Sequence, residues 1–177
     1  MNLLVPKFSE IGAMKQLYVV RHGHAEPQNE GGDFHRRLTA QGEREVLDLA
    51  SASRAYRVAG SPLWTSPSQR TTQTAQTLLK EWQEAPMNMQ TQEEAYLASD
   101  RSWIQWTQDW DNAHDSGWIV GHNPGLSDLV QHLTGSAISL PTGSMAALQL
   151  EVNQWEELFA GVAHLERLFT PSIPHLS

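Results

Sequence analysis

Cysteine is absent from this 177-residue chain. Disulfides, thiol nucleophiles and cysteine-ligated metal sites are therefore excluded, and the chain is compatible with a reducing cytoplasm. Long apolar runs are also missing. Nothing approaches 18 consecutive apolar residues, so no transmembrane helix is expected. Basic residues are scarce, 12 Lys and Arg against 20 Asp and Glu, giving a net charge of −8. Such an acidic chain lacks the broad basic face that nucleic acid or an anionic membrane would need. Repeats and low-complexity blocks are lacking as well. Residues 1–14 contain Leu3-Leu4-Val5 followed by Pro6, Lys7, Ser9 and Glu10. This is too short and polar for a signal-peptide core and reads as a loosely attached extension, with Met14 a candidate second start. Residues 15–177 read as a single domain, long enough for a real core.

What is present is a set of cations at strand ends. The apolar run Leu17-Tyr18-Val19-Val20 has the short, β-branched character of a buried parallel strand, and Arg21-His22-Gly23-His24 follows it directly. Trp118-Ile119-Val120 is a second buried strand and leads into Gly121-His122. A third strand is expected over Val58 to Trp64. Ser66 reads as a helix N-cap and Pro67 as the first helical residue, which puts Arg70 in the first turn of a helix running to about Trp82. Thr39 is expected to cap a helix over Ala40 to Ala52, with Val46, Leu47, Leu49 and Ala50 on one side. Further helices are expected over Asp100 to Asn112, and from Leu126 through Leu129, Val130 and Leu133 until Gly135 stops the last one. Met87 to Gln92 reads as extended. Leu148, Leu150 and Val152 alternate like a half-exposed strand, and Ala163 to Thr170 reads as the final strand. Strands alternating with helices predict an α/β sandwich.

In open α/β sheets ligands bind beyond the carboxyl ends of the strands. Arg21, His22 and His122 fall at such ends, and Arg70 opens a helix whose free N–H groups favour an anion. Each residue alone has a bland reading: a hydrogen-bonded structural histidine, a solvated helix arginine, a turn at Asn123-Pro124-Gly125. Their coincidence points to a phosphate-sized pocket. Arginine grips two phosphate oxygens in a fork, and neutral histidine is a competent nucleophile at phosphorus. One imidazole is expected to attack and the second, protonated, to stabilise charge on the equatorial oxygens. His24 is read as a rim residue, since no partner follows it at a familiar metal spacing.

These residues carry a family resemblance. Arg21-His22-Gly23, Leu38-Thr39-Ala40-Gln41-Gly42, Ser66-Pro67-Ser68-Gln69-Arg70-Thr71-Thr72-Gln73-Thr74, Gly121-His122-Asn123-Pro124-Gly125-Leu126 and Leu140-Pro141-Thr142-Gly143-Ser144 occur in the order found in the histidine phosphatase (phosphoglycerate mutase-like) superfamily. They cover about residues 15–171, and the chain is similar to the small SixA-type phosphohistidine phosphatases. The resemblance implies a three-layer α/β/α sandwich with a mainly parallel sheet. It implies His22 as the phosphorylated nucleophile, a phosphate pocket of Arg21, His22, Arg70 and His122, and no metal or organic cofactor. Many members donate a proton to the leaving group from an acid after the middle strand. Glu93 and Glu94 occupy the matching region, and Glu94 is the expected donor, an exposed loop being the alternative for both. The short stretch from Tyr96 to Asp115 implies an open pocket. The expected activity is dephosphorylation of protein phosphohistidine. The alternatives are a phosphatase for small esters such as sugar phosphates or nucleotides, and a phosphate-dependent binding module that has lost catalysis.

Overall fold

The computed structural model describes residues 14–172, and the reading of 1–13 as an extension lies outside them. Six strands form one sheet: β1 (Lys15–Arg21), β2 (Leu63–Thr65), β3 (Met89–Thr91), β4 (Ser116–Gly121), β5 (Met145–Leu150) and β6 (Ala163–Phe169). Their spatial order is β3-β2-β4-β1-β5-β6. β3, β2, β4 and β1 are mutually parallel, whereas β5 runs antiparallel to both β1 and β6. The sheet is thus mainly parallel, with one reversed strand beside the central one.

Side chains alternate across β1 and sort into two cores. Leu17 and Val19 join Ile119, Trp103, Leu126, Leu129, Val130 and Leu133 on one face. Tyr18 and Val20 join Trp118, Val120, Val46, Leu49, Ala75, Leu78 and Leu79 on the other. Helices α1 (Ala40–Ser53) and α2 (Gln69–Glu81) therefore cover one face, and α3 (Asp100–Gln108) and α4 (Gly125–Thr134) cover the opposite one. This is the three-layer α/β/α sandwich. With both faces covered, β1 and β4 need continuous apolar sequence, as they have.

Several boundaries differ from the sequence reading. The strand expected over Val58 to Trp64 is only Leu63–Thr65, because Gly60-Ser61-Pro62 forms a loop, with Gly60 at φ 81. α2 begins two residues later than expected: its N-cap is Ser68, and Ser66 is freed for another task. α3 stops at Gln108 rather than Asn112. β5 is buried, not half-exposed, since it is paired on both edges and packed on both faces. Leu47 is exposed and Leu49 is not. Thr39 caps α1, accepting a bond from the Gly42 amide at 3.2 Å, and Gly135 ends α4 in the left-handed region as expected.

Candidate active site

The register of the sheet assembles the site. Arg21 lies opposite Gly121 across the β1–β4 ladder, and Thr65 opposite Val120 across β2–β4. The residues that follow, His22, His122 and Ser66, therefore emerge side by side at one sheet edge. The ladder continues past the strands: the His22 amide donates to the Gly121 carbonyl and the Ser66 amide to that of Val120. The two imidazole rings stand with centroids 5.3 Å apart. A cavity of about 530 Å³ opens there, lined among others by Arg21, His22, His24, Asp33, Arg36, Arg70, Leu97, His122 and Asn123.

Gly23 serves space, not an unusual turn. Its φ is not positive, but a Cβ there would lie 2.6 Å from the Gly42 carbonyl oxygen and 2.9 Å from Val46 Cγ2. The chain leaving β1 can pass over the start of α1 only without a side chain at this position. That close approach brings His24 to Thr39, where the ring Nδ1 and the hydroxyl are 2.8 Å apart, and its amide donates to Glu45. His24 is at the pocket rim, as expected.

The tautomers follow from the hydrogen bonds. His22 Nδ1 lies 2.7 Å from the Gly23 carbonyl, which can only accept, so Nδ1 carries the hydrogen and Nε2 keeps a lone pair. Burial, and behind it the charges of Arg70, Arg21 and Arg36, lower the pKa of His22 to about 4 against the opposing backbone bond. The His22 ring is therefore neutral at pH 7. His122 accepts at Nδ1 from an Arg70 terminal nitrogen at 3.3 Å, leaving Nε2–H to donate to Ser66 Oγ at 2.7 Å. Burial first, then His22 and Arg70, lower its pKa to about 3. The expectation of a protonated second imidazole does not hold for the free site, because a buried ring among guanidinium groups sheds its proton. In NMR, the ring resonances of both histidines should stay at their neutral positions from pH 8 to 5. Orthovanadate should shift those of His122, because the added anion favours a proton there. A midpoint near 6.5 for either ring in the free protein contradicts this electrostatic picture.

The arginines are held from behind. Arg21 donates to the Leu140 carbonyl at 2.8 Å. Arg70, 3% exposed, donates to the Asp33 carbonyl at 2.6 Å and to its carboxylate Oδ2 at 2.9 Å. The Nε–H groups of both arginines are buried and have no acceptor among the described residues. Unpaired buried donors are costly, and an oxyanion is the ligand that satisfies two guanidinium donors at once.

The structure brings together Arg21, His22, Arg70 and His122. It does not bring Glu94 to them. Glu94 is exposed beyond β3, accepts a bond from Gln92 at 2.7 Å and does not line the cavity, and Glu93 is exposed beside it. The short 3-10 turn at Glu93–Ala95 buries Ala95 and leaves both carboxylates outside. Four residues escaped the sequence reading. Ser66 holds His122, and its signal was a serine directly after a strand. Asp33 and Arg36 form an ion pair at 2.8 Å, signalled by opposite charges three residues apart. Tyr96 donates its hydroxyl to Asp33 Oδ2 at 2.5 Å and packs edge-on against His122. No group of three or more His, Asp or Glu that could hold a metal ion occurs among the described residues.

The sequence model of the histidine phosphatase superfamily (branch 1) matches residues 17–115. The chain belongs to the histidine phosphatase superfamily. Solved histidine phosphatases share its fold. It is similar to the protein histidine phosphatase SixA complexed with tungstate, at 22% identity and TM-score 0.75, covering 88% of this chain and 97% of that one. It is similar to a protein from Agrobacterium tumefaciens proposed to be the phosphohistidine phosphatase SixA, at 20% identity and TM-score 0.74, covering 89% and 98%. It is also similar to phosphoserine phosphatase from Entamoeba histolytica in complex with 3-phosphoglyceric acid, at 15% identity and TM-score 0.62, covering 93% and 100%. No curated protein matches the sequence. Superfamily membership supports a phosphatase. At these identities the structural likeness carries the fold and leaves the substrate to the chemistry of the pocket.

Proposed function

We propose that this chain is a metal-independent phosphatase that works through a phosphohistidine on His22 and acts on protein phosphohistidine. In the first step the Nε2 lone pair of His22 forms a bond to phosphorus in line with the bond that breaks, whose electron pair leaves with the departing atom. Arg21 and Arg70 bind the equatorial oxygens, and His122 takes up a proton as the dianion enters and becomes a further donor. In the second step water attacks phosphorus from the side the leaving group has vacated. The P–N electron pair returns to Nε2, and dihydrogen phosphate forms and loses a proton to solvent.

The observation that carries the substrate class is the state of the pocket's carboxylate. Asp33 is the only carboxylate among the lining residues, and bonds from Tyr96, then Arg36 and Arg70, hold it well below the usual carboxylate range. It is an anion and has no proton to donate. An ester oxygen leaves poorly without one. A phosphorylated imidazole carrying its proton on the distal nitrogen leaves as neutral imidazole and needs none. Phosphoryl exchange between two imidazoles is therefore the chemistry best matched to these groups. The open mouth of the cavity, beside the exposed Leu97, suits a protein-borne ring. No helix among the described residues is long and apolar enough to cross a membrane, and the proposal includes a cytoplasmic setting.

The test compares kcat/KM for a phosphohistidine protein with a panel of sugar phosphates and nucleotides. General acid catalysis contributes about 10²–10⁴-fold, so a preference of at least about 10²-fold for phosphohistidine is expected. Equal or faster hydrolysis of an ester reassigns the chain to small phosphomonoesters, the activity class that the phosphoserine phosphatase match represents. Stoichiometric binding without turnover on any substrate favours the binding-module reading. The presence of all four pocket residues argues against that outcome.

A further inference from the structure

Asp33 stands in a short 3-10 turn (Asp33–His35) between β1 and α1, yet it bonds side chains from α2, from the turn beyond β3 and from its own loop. Its Oδ2 accepts from Arg70 on α2 and from the Tyr96 hydroxyl beyond β3, and its Oδ1 accepts from Arg36 in its own loop. Its main-chain carbonyl accepts from the other terminal nitrogen of Arg70. Arg36 is tied down a second time through Nε to the Glu26 carbonyl. Tyr96 in turn packs against His122 and against Phe34, with ring centroids 5.7 and 5.3 Å apart respectively. One exposed carboxylate thus closes a frame around two guanidinium groups and braces the second imidazole.

We infer that Asp33 is the positioning residue of this site: its carboxylate and main-chain carbonyl fix the Arg70 guanidinium from outside in its place beside His122. The inference rests on the phosphoryl-transfer reading above. Arg70 spends both terminal nitrogens on Asp33 and His122, while its Nε–H stays unpaired. A guanidinium fixed at its far end by two acceptors on one residue cannot swing, and a donor already aimed loses little on binding the transition state. Asp33 touches no reacting atom in this arrangement and acts through Arg70.

The experiment uses the full chain and three proteins: wild type, Asp33→Asn and Asp33→Ala. Turnover is measured on the substrate the wild type hydrolyses best, orthovanadate binding by calorimetry, and Tm by thermal melting. Asparagine can still present one acceptor to Arg70 and Tyr96 but offers Arg36 no carboxylate. Alanine leaves only the main-chain carbonyl. The expected order in kcat is wild type, then Asn, then Ala. Misaimed catalytic groups cost up to about 10²-fold, so alanine is expected to lose about 10–100-fold, mostly in kcat rather than KM. Vanadate binding should weaken in the same order. Asp33 is 45% exposed, so Tm should move little, and a merely structural role would instead shift Tm with kcat intact. Should alanine misfold, the asparagine variant alone still reports the loss in kcat and vanadate affinity. Wild-type kcat in the alanine variant overturns the inference, and so does tighter vanadate binding, which would mark Asp33 as a competitor for the fork. A wild type that neither turns over phosphoryl substrates nor binds vanadate fails at the earlier level and removes this inference with it. Wild-type turnover matched by alanine removes this inference alone.

Discussion

Replacing His22 by alanine is expected to reduce turnover by about 10⁴-fold or more, because a covalent route loses its nucleophile outright. The buried imidazole beside it cannot take over. His122 spends Nδ1 on Arg70 and Nε2 on Ser66, and the chain has no cysteine. The guanidinium groups survive the substitution, so what remains is electrostatic catalysis of direct attack by water. A companion measurement identifies the atom. Wild-type protein given substrate labelled in the phosphoryl group and quenched in alkali should carry the label on the peptide containing His22. A phosphorus–nitrogen bond survives base and is lost in acid. His122→Ala should prolong this state by removing a donor from the second step, and His22→Ala should show no label. Turnover by His22→Ala within tenfold of wild type rejects the covalent mechanism, whatever the substrate.

The sheet edge was legible in the sequence for a physical reason. Strands buried on both faces, such as β1 and β4, must be continuously apolar, so the first polar residue after each marks its end. When that residue is a histidine or arginine, it stands at the ligand edge. The grouping of Arg21, His22 and His122 follows from this one rule, whereas Arg70 was placed by the helix it opens and the fold class by the alternation of strands with helices. Register did the rest, since Arg21 opposite Gly121 leaves His22 and His122 nowhere else to be.

What was not legible depends on loops. Ser66 has excellent N-cap chemistry, and the local preference was overruled because the chain needs two more residues to turn from β2 onto the helix layer. Its hydroxyl bonds a histidine 56 residues away, and no local pattern encodes such a pairing. Glu94 fails for a related reason. Its sequence position matches an acid-bearing region of the family, but the 3-10 turn at Glu93–Ala95 turns Ala95 inward in its place. The protonation state of His122 needed three dimensions as well. A lone histidine near neutrality could carry a proton, whereas one packed behind a buried guanidinium does not. The polar frame around Asp33 joins four segments, and only the ion pair with Arg36 is local enough to be seen beforehand.

The same burial that keeps the His22 ring neutral should make the protein acid-sensitive. In the folded chain the ring stays neutral down to about pH 4, whereas in the unfolded chain it takes a proton near 6.5. The unfolded state therefore binds more protons throughout that window, and stability must fall as the pH drops through it. The contribution is complete above about pH 6.5, drains away between 6.5 and 4, and levels off below. By linkage it amounts to about 3 kcal/mol for His22. His122 acts in the same direction, to about pH 3, but the rings share one cavity, so the two contributions do not simply add. Urea unfolding of wild type and His22→Gln between pH 7.5 and 4 isolates the effect. Carboxylates titrate alike in both proteins and cancel in the difference. Glutamine has nothing to protonate, so the gap between the two stabilities should shift by about 3 kcal/mol in favour of the variant as the pH falls. Parallel curves would mean that the folded ring protonates as readily as the unfolded one. His22 would then be no desolvated base, and the neutral nucleophile on which the phosphoryl-transfer step depends would be lost with it.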